Sequence, residues 1–425
     1  MAAPWSSHFS RHGNYDVVME PAADDNSRRP FGALPAWAAA GIAGHLLIWQ
    51  ISEPPLLFSD FYKAYYPAAK ALTSADWQSA WQGLEPGVGG FVNLPIVAWL
   101  FVPFLIFGKA GAGWAFLAFG MAAVLASWLI VVRGLVNATL AGPMLFLFLV
   151  NGPMVNSLRE GNTTHIAFAA VICGLALWKG GRNFLAGLLL GVAAIIKIPF
   201  LLLGVYFLLR RNWPVVGGGL AAIGAAAVLS LGVHGLAANS AWYDNSIAPY
   251  LGRAIAAFNV QSVDGFLIRL GSGAEGLFDW TARDISPLHK AARLVLFAAA
   301  GLAFLWTTRC FETRTSPFDK RDYLEFSLVL ALAIVLSPVS WTHYYLFFVL
   351  PFGLYLAGNF STETDMTTRR LMWSGFVLTA LPVILMPIDS DMVLDVWSRS
   401  GVSSYFLGGV LMLIALLRAR WRAEP

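Results

Sequence analysis

Apolar runs recur along almost the whole chain, separated by short breaks rich in glycine, proline, aromatic or charged residues. A bilayer core about 30 Å thick takes roughly 20 apolar residues per helical crossing. On that measure the pattern predicts helices near residues 31–51, 93–108, 113–132, 140–150, 165–178, 183–209 and 215–234. Further runs follow at 291–307, 323–336, 344–356, 372–385 and 405–417. The expected fold class is an all-α polytopic membrane protein, a helical bundle of about 10–12 transmembrane helices.

Two stretches depart from this rhythm. Residues 52–90 are polar and aromatic and too long for a turn, and long loops carry function. Within them, 60–72 and 76–82 read as short amphipathic helices rich in Tyr and Trp, suited to lying along the membrane surface. The second stretch, 238–290, is longer still. Placing the basic groups Arg28-Arg29, Lys109, Arg210-Arg211, Arg309 to Arg321 and Arg418 to Arg422 in the cytoplasm puts both stretches on the outer face. Strict alternation fails at Lys179-Gly180-Gly181-Arg182, only one ordinary span from Arg210. Ile196-Lys197-Ile198-Pro199 lies in the middle of that span, where proline breaks a helix and a lone lysine is costly unless it faces protein or water. Two short helices meeting at Lys197 reconcile the charges.

Composition agrees with this class. Of 425 residues, 58% are hydrophobic and 12% charged, against about 25% charged in a soluble domain. The formal net charge of +4 is dispersed, so no nucleic-acid partner is indicated. Cys173 and Cys310 are the only cysteines, and no Cys/His spacing suggests zinc or haem. Residues 1–30 are polar and lack the apolar core of a cleavable signal. They read as a flexible cytoplasmic tail ahead of a single transmembrane domain, 31–425. Ser27-Arg28-Arg29-Pro30-Phe31 is like a twin-arginine signal, but the positive-inside rule accounts for the arginines more economically.

Asp60 stands just outside the first span, at the start of the aromatic segment that carries Tyr62, Tyr65 and Tyr66. A carboxylate there is a candidate general base for a sugar hydroxyl, which needs its proton drawn away as it attacks; the competing role is a helix cap. Asn151-Gly152-Pro153 and the break Leu158-Arg159-Glu160-Gly161-Asn162-Thr163-Thr164-His165 read as a pocket wall or as a capped surface loop. Lys197 either meets an anionic lipid phosphate or snorkels to the interface. Asn259, Gln261, Ser262 and Arg269 offer amide, hydroxyl and guanidinium donors for sugar or phosphate. Trp341, His343 and Tyr344 put a histidine and sugar-stacking aromatics at one membrane face, where aromatic anchors are also common.

Taken together these motifs resemble glycosyltransferase family 87, polyprenyl-phosphate-sugar-dependent membrane transferases of the GT-C class that include polyprenyl-phosphomannose-dependent α-mannosyltransferases. The resemblance runs from about Leu57 to Pro351. It rests on Asp-Phe…Tyr-Tyr-Pro-Ala-Ala at Asp60 to Ala69, Gly161-Asn162, the pattern of Ala186, Gly187, Gly191 and Lys197, Asn-x-Gln-Ser at Asn259 to Ser262, and Ser-Pro-x-Ser-Trp-x-His-Tyr at Ser337 to Tyr344. It implies a GT-C-type bundle, Asp60 as catalytic base, and Trp341 and His343 in the same site. The family more often has Gly-Gln-x-Asn where this chain has Gly161-Asn162-Thr163-Thr164, and Asn-Gln-Ser where it has Val260-Gln261-Ser262.

The expected reaction moves a monosaccharide, mannose by family resemblance, from a polyprenyl-phosphate donor to a glycolipid or glycan acceptor. An outer site in a bacterial inner membrane calls for a lipid-linked donor, which enters laterally from the membrane lipids. Attack opposite the phosphate inverts the anomeric carbon, and Lys197, Arg269 or His343 meets the leaving phosphate. No cofactor is expected. A metal-free site is preferred, since no carboxylates cluster for a divalent cation, although Asp244 and Asp264 lie in the outer loop. The rival classes are a lipid-carrier flippase or transporter, which would often show repeated halves, and an oligosaccharide polymerase or ligase, which would use a lipid-linked oligosaccharide.

Overall fold

A computed structural model of the protein describes residues 32–51, 57–85, 87–308, 318–360, 365–383 and 390–423. The tail 1–30 with its paired arginines, Cys310, residues 52–56 and most of the 309–321 loop lie outside the described residues.

The described chain is helical almost throughout. Helix α1 (Leu34–Ile51) leads to a π-helical turn at Phe61–Tyr65, then α2 (Tyr66–Leu72) and α3 (Trp77–Gln82), where the two short amphipathic helices are expected. A tightly wound 3₁₀ helix at Pro95–Phe107 runs into α4 (Gly108–Ile130). There follow α5 (Ala141–Leu149), α6 (Gly152–Arg159), α7 (Thr164–Lys179), α8 (Asn183–Ile196), α9 (Leu201–Leu209), α10 (Trp213–Ser246) and α11 (Val263–Ser272). The last six are α12 (Pro287–Thr308), α13 (Lys320–Val335), α14 (Val349–Leu356), α15 (Met366–Ala380), α16 (Asp391–Arg399) and α17 (Ser404–Arg422). Two-residue strands β1 (Arg253–Ala254) and β2 (Arg283–Asp284) pair antiparallel within the second long loop.

Among the described residues, four continuous helical stretches are long and apolar enough to cross a bilayer: Pro95–Leu135, Trp213–Tyr250, Pro287–Thr308 and Asp391–Arg422. Ala138–Leu149 and Gly152–Arg159 pass the same test only when taken together, as a broken span or a re-entrant loop bent by 57°. Much of the rest of the expected ten to twelve appears as shorter apolar helices: Thr164–Lys179, Asn183–Ile196, Ile198–Leu209 and Thr342–Leu356. Residues 93–108 and 113–132, expected as separate spans, belong to one long helical stretch in which Gly108 turns the backbone at φ 67°. The run 183–209 is broken at Lys197, as its proline and charge predict: Lys197 is extended (φ −138°, ψ 98°), and Ile198–Phe200 form a 3₁₀ turn before α9.

Packing explains one of the sequence motifs. At Gly187 an added Cβ would collide with the Val215 carbonyl, and at Gly218 with that of Phe184; Gly191 faces the backbone of Gly219. Small residues of this kind let helix backbones touch. Gly187 and Gly191 of the Ala186, Gly187, Gly191 pattern therefore dock α8 on α10 and so set the position of Lys197 at the end of α8.

Helix α13 runs through the middle of the molecule, every residue from Tyr323 to Val335 being buried. Near its start, fully buried Glu325 accepts from Arg210, Arg321 (3.1 Å), Arg420 (2.9 Å) and the Tyr206 hydroxyl (2.9 Å). Arginines from α17, from α13 and from the end of α9 thus meet on one carboxylate. Its other end, Leu332, Ala333 and Leu336, lines the large cavity. Eleven residues at 1.5 Å rise separate Glu325 from Leu336, about 16 Å.

Candidate active site

The cavity is bounded by the first long loop, the α6–α7 turn, the break at Lys197, the second long loop and the Ser337–Tyr344 segment, and its volume is about 1400 Å³. That exceeds the roughly 300–1,000 Å³ of pockets that hold one drug-sized ligand.

Asp60 is placed by backbone bonding between two segments 100 residues apart. The Phe58 N–H donates to the Arg159 carbonyl (2.8 Å), and the Asp60 and Phe61 N–H groups donate to that of Glu160 (2.9 and 3.2 Å). The close approach needs Gly161: it sits at φ 68°, and a Cβ there would meet Phe61 Cβ at 2.7 Å. Tyr65 stacks on Phe101 with centroids 4.4 Å apart and shares a hydrogen bond with Thr163 (3.2 Å). Asp60 makes no side-chain cap to its helix, so the capping role weighed for it is not taken up. Its carboxylate instead accepts from the Asn162 amide at 2.6 Å. The orientation of that amide is fixed, because its oxygen accepts from the Thr164 N–H (2.9 Å) and hydroxyl (2.6 Å).

Around Asp60 the charges are unevenly supplied. Glu160 lies in the same wall, its carboxylate 3.7 Å from His343 Nδ1. His343 Nε2 is buried with no hydrogen-bond partner among the described residues. Lys197 is buried, its Nζ 5.0 Å from the Tyr344 ring centroid. Burial, and after it the Glu160 charge, pushes the Asp60 carboxyl above the usual carboxylate range, against the opposing pull of His343, Asn162 and Lys197. Burial pushes Glu160 up to about 7, opposed by the charges of Arg159 and Lys197. A carboxyl raised in this way is poised to take a proton near neutral pH. Ligand atoms of Asp60, Glu160 and His343 lie within 4.8 Å of one another, close enough to approach one cation, and Lys197 already supplies positive charge beside them.

Of the residues singled out in the sequence, Asp60, Tyr65, Asn162, Lys197, Asn259, Trp341, His343 and Tyr344 line this cavity. Tyr62, Tyr66, Gly161, Gln261, Ser262 and Arg269 are not in its wall. Tyr62 donates to the Lys109 carbonyl (2.8 Å) and Tyr66 packs among Phe61 and Tyr62. Gln261 donates to the Phe258 and Val402 carbonyls, both at 2.7 Å, and Ser262 bonds the Pro338 carbonyl (2.9 Å) while capping α11. Arg269, wholly buried, gives its donors to the carbonyls of Ala256, Ala257 and Val260 and to the Ser403 hydroxyl. The side chains of Gln261, Ser262 and Arg269 are spent inside the protein, where they brace the second long loop internally and against Pro338, Val402 and Ser403, and backbone bonds join that loop to the segment before His343. The Gln261 N–H donates to the Ser340 carbonyl (2.6 Å) and the Thr342 N–H to that of Asn259 (2.9 Å).

Glu160 and Asn93 are among the wall residues that the sequence does not single out. Glu160 lies inside the polar break that was noted, yet nothing local distinguishes it from a surface acid. Asn93 donates to the Ile196 carbonyl at 2.8 Å, bracing the backbone at the Lys197 break; a polar residue at the start of an apolar run was its only signal.

The model of glycosyltransferase family 87 matches residues 91–338. Two relatives from Mycolicibacterium smegmatis are similar. One is a polyprenol-phosphate-mannose-dependent alpha-(1-2)-phosphatidylinositol mannoside mannosyltransferase, 27% identical over 240 residues, 54% of this chain and 50% of that protein. The other is the corresponding phosphatidylinositol pentamannoside mannosyltransferase, 28% identical over 233 residues, 54% of this chain and 51% of that protein. The chain thus spans about half the length of the curated relatives it matches. Among solved structures, ArnT from Cupriavidus metallidurans aligns over 92% of this chain and 77% of its own. The apo form gives 16% identity and a TM-score of 0.40, the undecaprenyl-phosphate-bound form 14% and 0.41.

Proposed function

The chain belongs to glycosyltransferase family 87, and from that premise we propose that it transfers a monosaccharide, mannose, from a polyprenyl-phosphate donor to a glycolipid or glycan acceptor. The site faces the periplasm of a bacterial inner membrane. The observation that carries this reading is the Asp60 carboxylate, held at 2.6 Å by an oriented Asn162 amide in a cavity that also contains Lys197 and His343. The dependence on polyprenol-phosphate-mannose in the names of both relatives supports the donor.

In this mechanism Asp60 draws the proton from the acceptor hydroxyl as it attacks the anomeric carbon. The bond to the lipid phosphate breaks on the opposite side, so the configuration inverts. Lys197 meets the charge developing on the phosphate, and His343, whose Nε2 has no hydrogen-bond partner among the described residues, donates to it or to the sugar. The cationic role falls to Lys197 and no metal is required, so transfer should persist in a chelator.

The test is transfer of label from radiolabelled polyprenyl-phosphate sugars to extracted envelope lipids by purified wild type and Asp60→Ala. Loss of transfer in a variant that stays folded and binds donor supports the assignment; equal transfer by both removes Asp60 as the base. A lipid-linked oligosaccharide serving as donor in place of a monosaccharide would move the protein to the ligases.

A further inference from the structure

The cavity has a second wall that the transfer chemistry leaves unused. Phe258, Phe278 and Trp280 form a three-ring cluster with centroids 5.8, 6.2 and 6.4 Å apart. Phe278 is 63% exposed and Trp280 38% exposed, and both line the cavity that holds Asp60.

Large exposed aromatics in a membrane protein are ordinarily interfacial anchors, with the indole N–H turned to water and headgroups. Here the indole is committed differently. Trp280 Nε1–H donates to the Asn259 side-chain oxygen at 3.0 Å, which ties the ring to a neighbouring cavity-wall residue. The loop beneath is stitched to the neighbouring segment, Phe258 N–H to the Leu277 carbonyl (2.9 Å) and Ala257 N–H to that of Asp279 (3.0 Å). The Asp279 carboxylate accepts from both the N–H and the hydroxyl of Thr281 and pairs with Arg283, fixing the turn. The same Asn259 that holds Trp280 receives the Thr342 N–H on its own carbonyl, one residue from His343. One amino acid therefore ties the aromatic wall to the reacting end of the cavity.

We infer that Phe278 and Trp280 form an acceptor subsite, a rigid platform on which a pyranose ring of a glycan acceptor stacks while its reacting hydroxyl lies at Asp60. A ring face rich in C–H groups suits a sugar, and an aromatic held in advance loses little freedom on binding. The cavity volume leaves room for an acceptor glycan beside a donor sugar phosphate. This assignment rests on the glycosyltransferase reading and names which wall takes which substrate: the lipid phosphate goes to the Lys197 side, the acceptor sugar to the Trp280 side.

The experiment has two arms on the full chain in detergent. In the first, Trp280→Ala and Phe278→Ala are compared with wild type for acceptor KM, donor KM and kcat. The acceptor KM should rise at least about tenfold, as for a Trp anchor, with donor KM unchanged, and Trp280→Phe should recover much of the loss. In the second, binding of α-mannobiose without donor is measured for wild type, Trp280→Ala and Trp213→Ala, the last an exposed tryptophan outside the cavity wall. Trp280→Ala should lose the binding that Trp213→Ala keeps. A raised donor KM in place of acceptor KM, an unchanged acceptor KM, or equal disaccharide binding by wild type and Trp280→Ala in a folded protein overturns the subsite. Sugar binding that depends on Trp280, with no transfer from any donor, would keep the subsite and sink the transfer reaction.

Discussion

Two acidic sites lie toward opposite ends of helix α13, one wholly buried and one half-buried in the cavity wall, and they are compensated differently. Glu325, at one end, is wholly buried and receives three arginines and a tyrosine hydroxyl. Asp60 and Glu160, in the cavity at the other end, have the charges of Lys197 and Arg159 nearby, one amide on Asp60 at 2.6 Å and a histidine 3.7 Å from Glu160. A carboxylate with surplus donors is held ionised and ties helices together. One with too few donors is left able to change its charge or its partner. On the proposed function, this contrast divides a structural carboxylate, Glu325, from the catalytic one, Asp60.

Neutralising each site should therefore do opposite things. Asp60→Asn should reduce transfer about 10²- to 10⁴-fold, the usual contribution of a general base, while leaving the unfolding temperature in detergent unchanged or higher. Glu325→Gln should leave three arginines around a neutral group; breaking a buried ion pair from one side costs about 3–5 kcal/mol. Its signature is a lowered unfolding temperature, with the remaining folded protein turning over normally. If Glu325→Gln were as stable as wild type and inactive, the division would fail.

The lysine offers a finer cut. Lys197→Gln removes the cation assigned to the lipid phosphate, and a charge-assisted hydrogen bond is worth about 1.5–3 kcal/mol. Donor KM should rise about ten- to a hundredfold while acceptor KM stays put. Lys197→Arg should recover part of the loss, and an equal rise in both constants would mean that the residue supports the cavity as a whole.

What could be read in advance follows physical range. Asp60, the break at Lys197 and the Trp341–His343 segment were legible because each is a local conflict: charge, proline or polar aromatics interrupting an apolar run. Arg269 and Gln261 were legible as polar residues but not as scaffold, since their partners, Ser403 and Val402, lie 134 and 141 residues away. The Gly187 and Gly191 pattern was visible only as a family pattern, and its cause, backbone contact with α10, belongs to tertiary structure. Glu160 was hidden for the same reason. Its importance lies in facing His343 and in bonding the Asp60 backbone across a hundred residues.

Glu160 also gives the smallest prediction, which concerns pH. Burial raises its carboxyl from an ordinary value of 4.5 to about 7, so between those values the folded protein holds a proton that the unfolded chain has released. Stability then falls as pH rises through this window and levels off above about 7. The side chain is a fifth exposed to the cavity, which trims the effect to about 1–2 kcal/mol. Unfolding temperature measured from pH 5 to 8 should decline for wild type, and Glu160→Gln should remove part of that decline and be the more stable protein at pH 8. The equivalent neutralisation at Glu325 should be destabilising at every pH in the range. Parallel pH profiles for wild type and Glu160→Gln would mean that Glu160 is compensated in solution as fully as Glu325, and the two ends of α13 would no longer differ in kind.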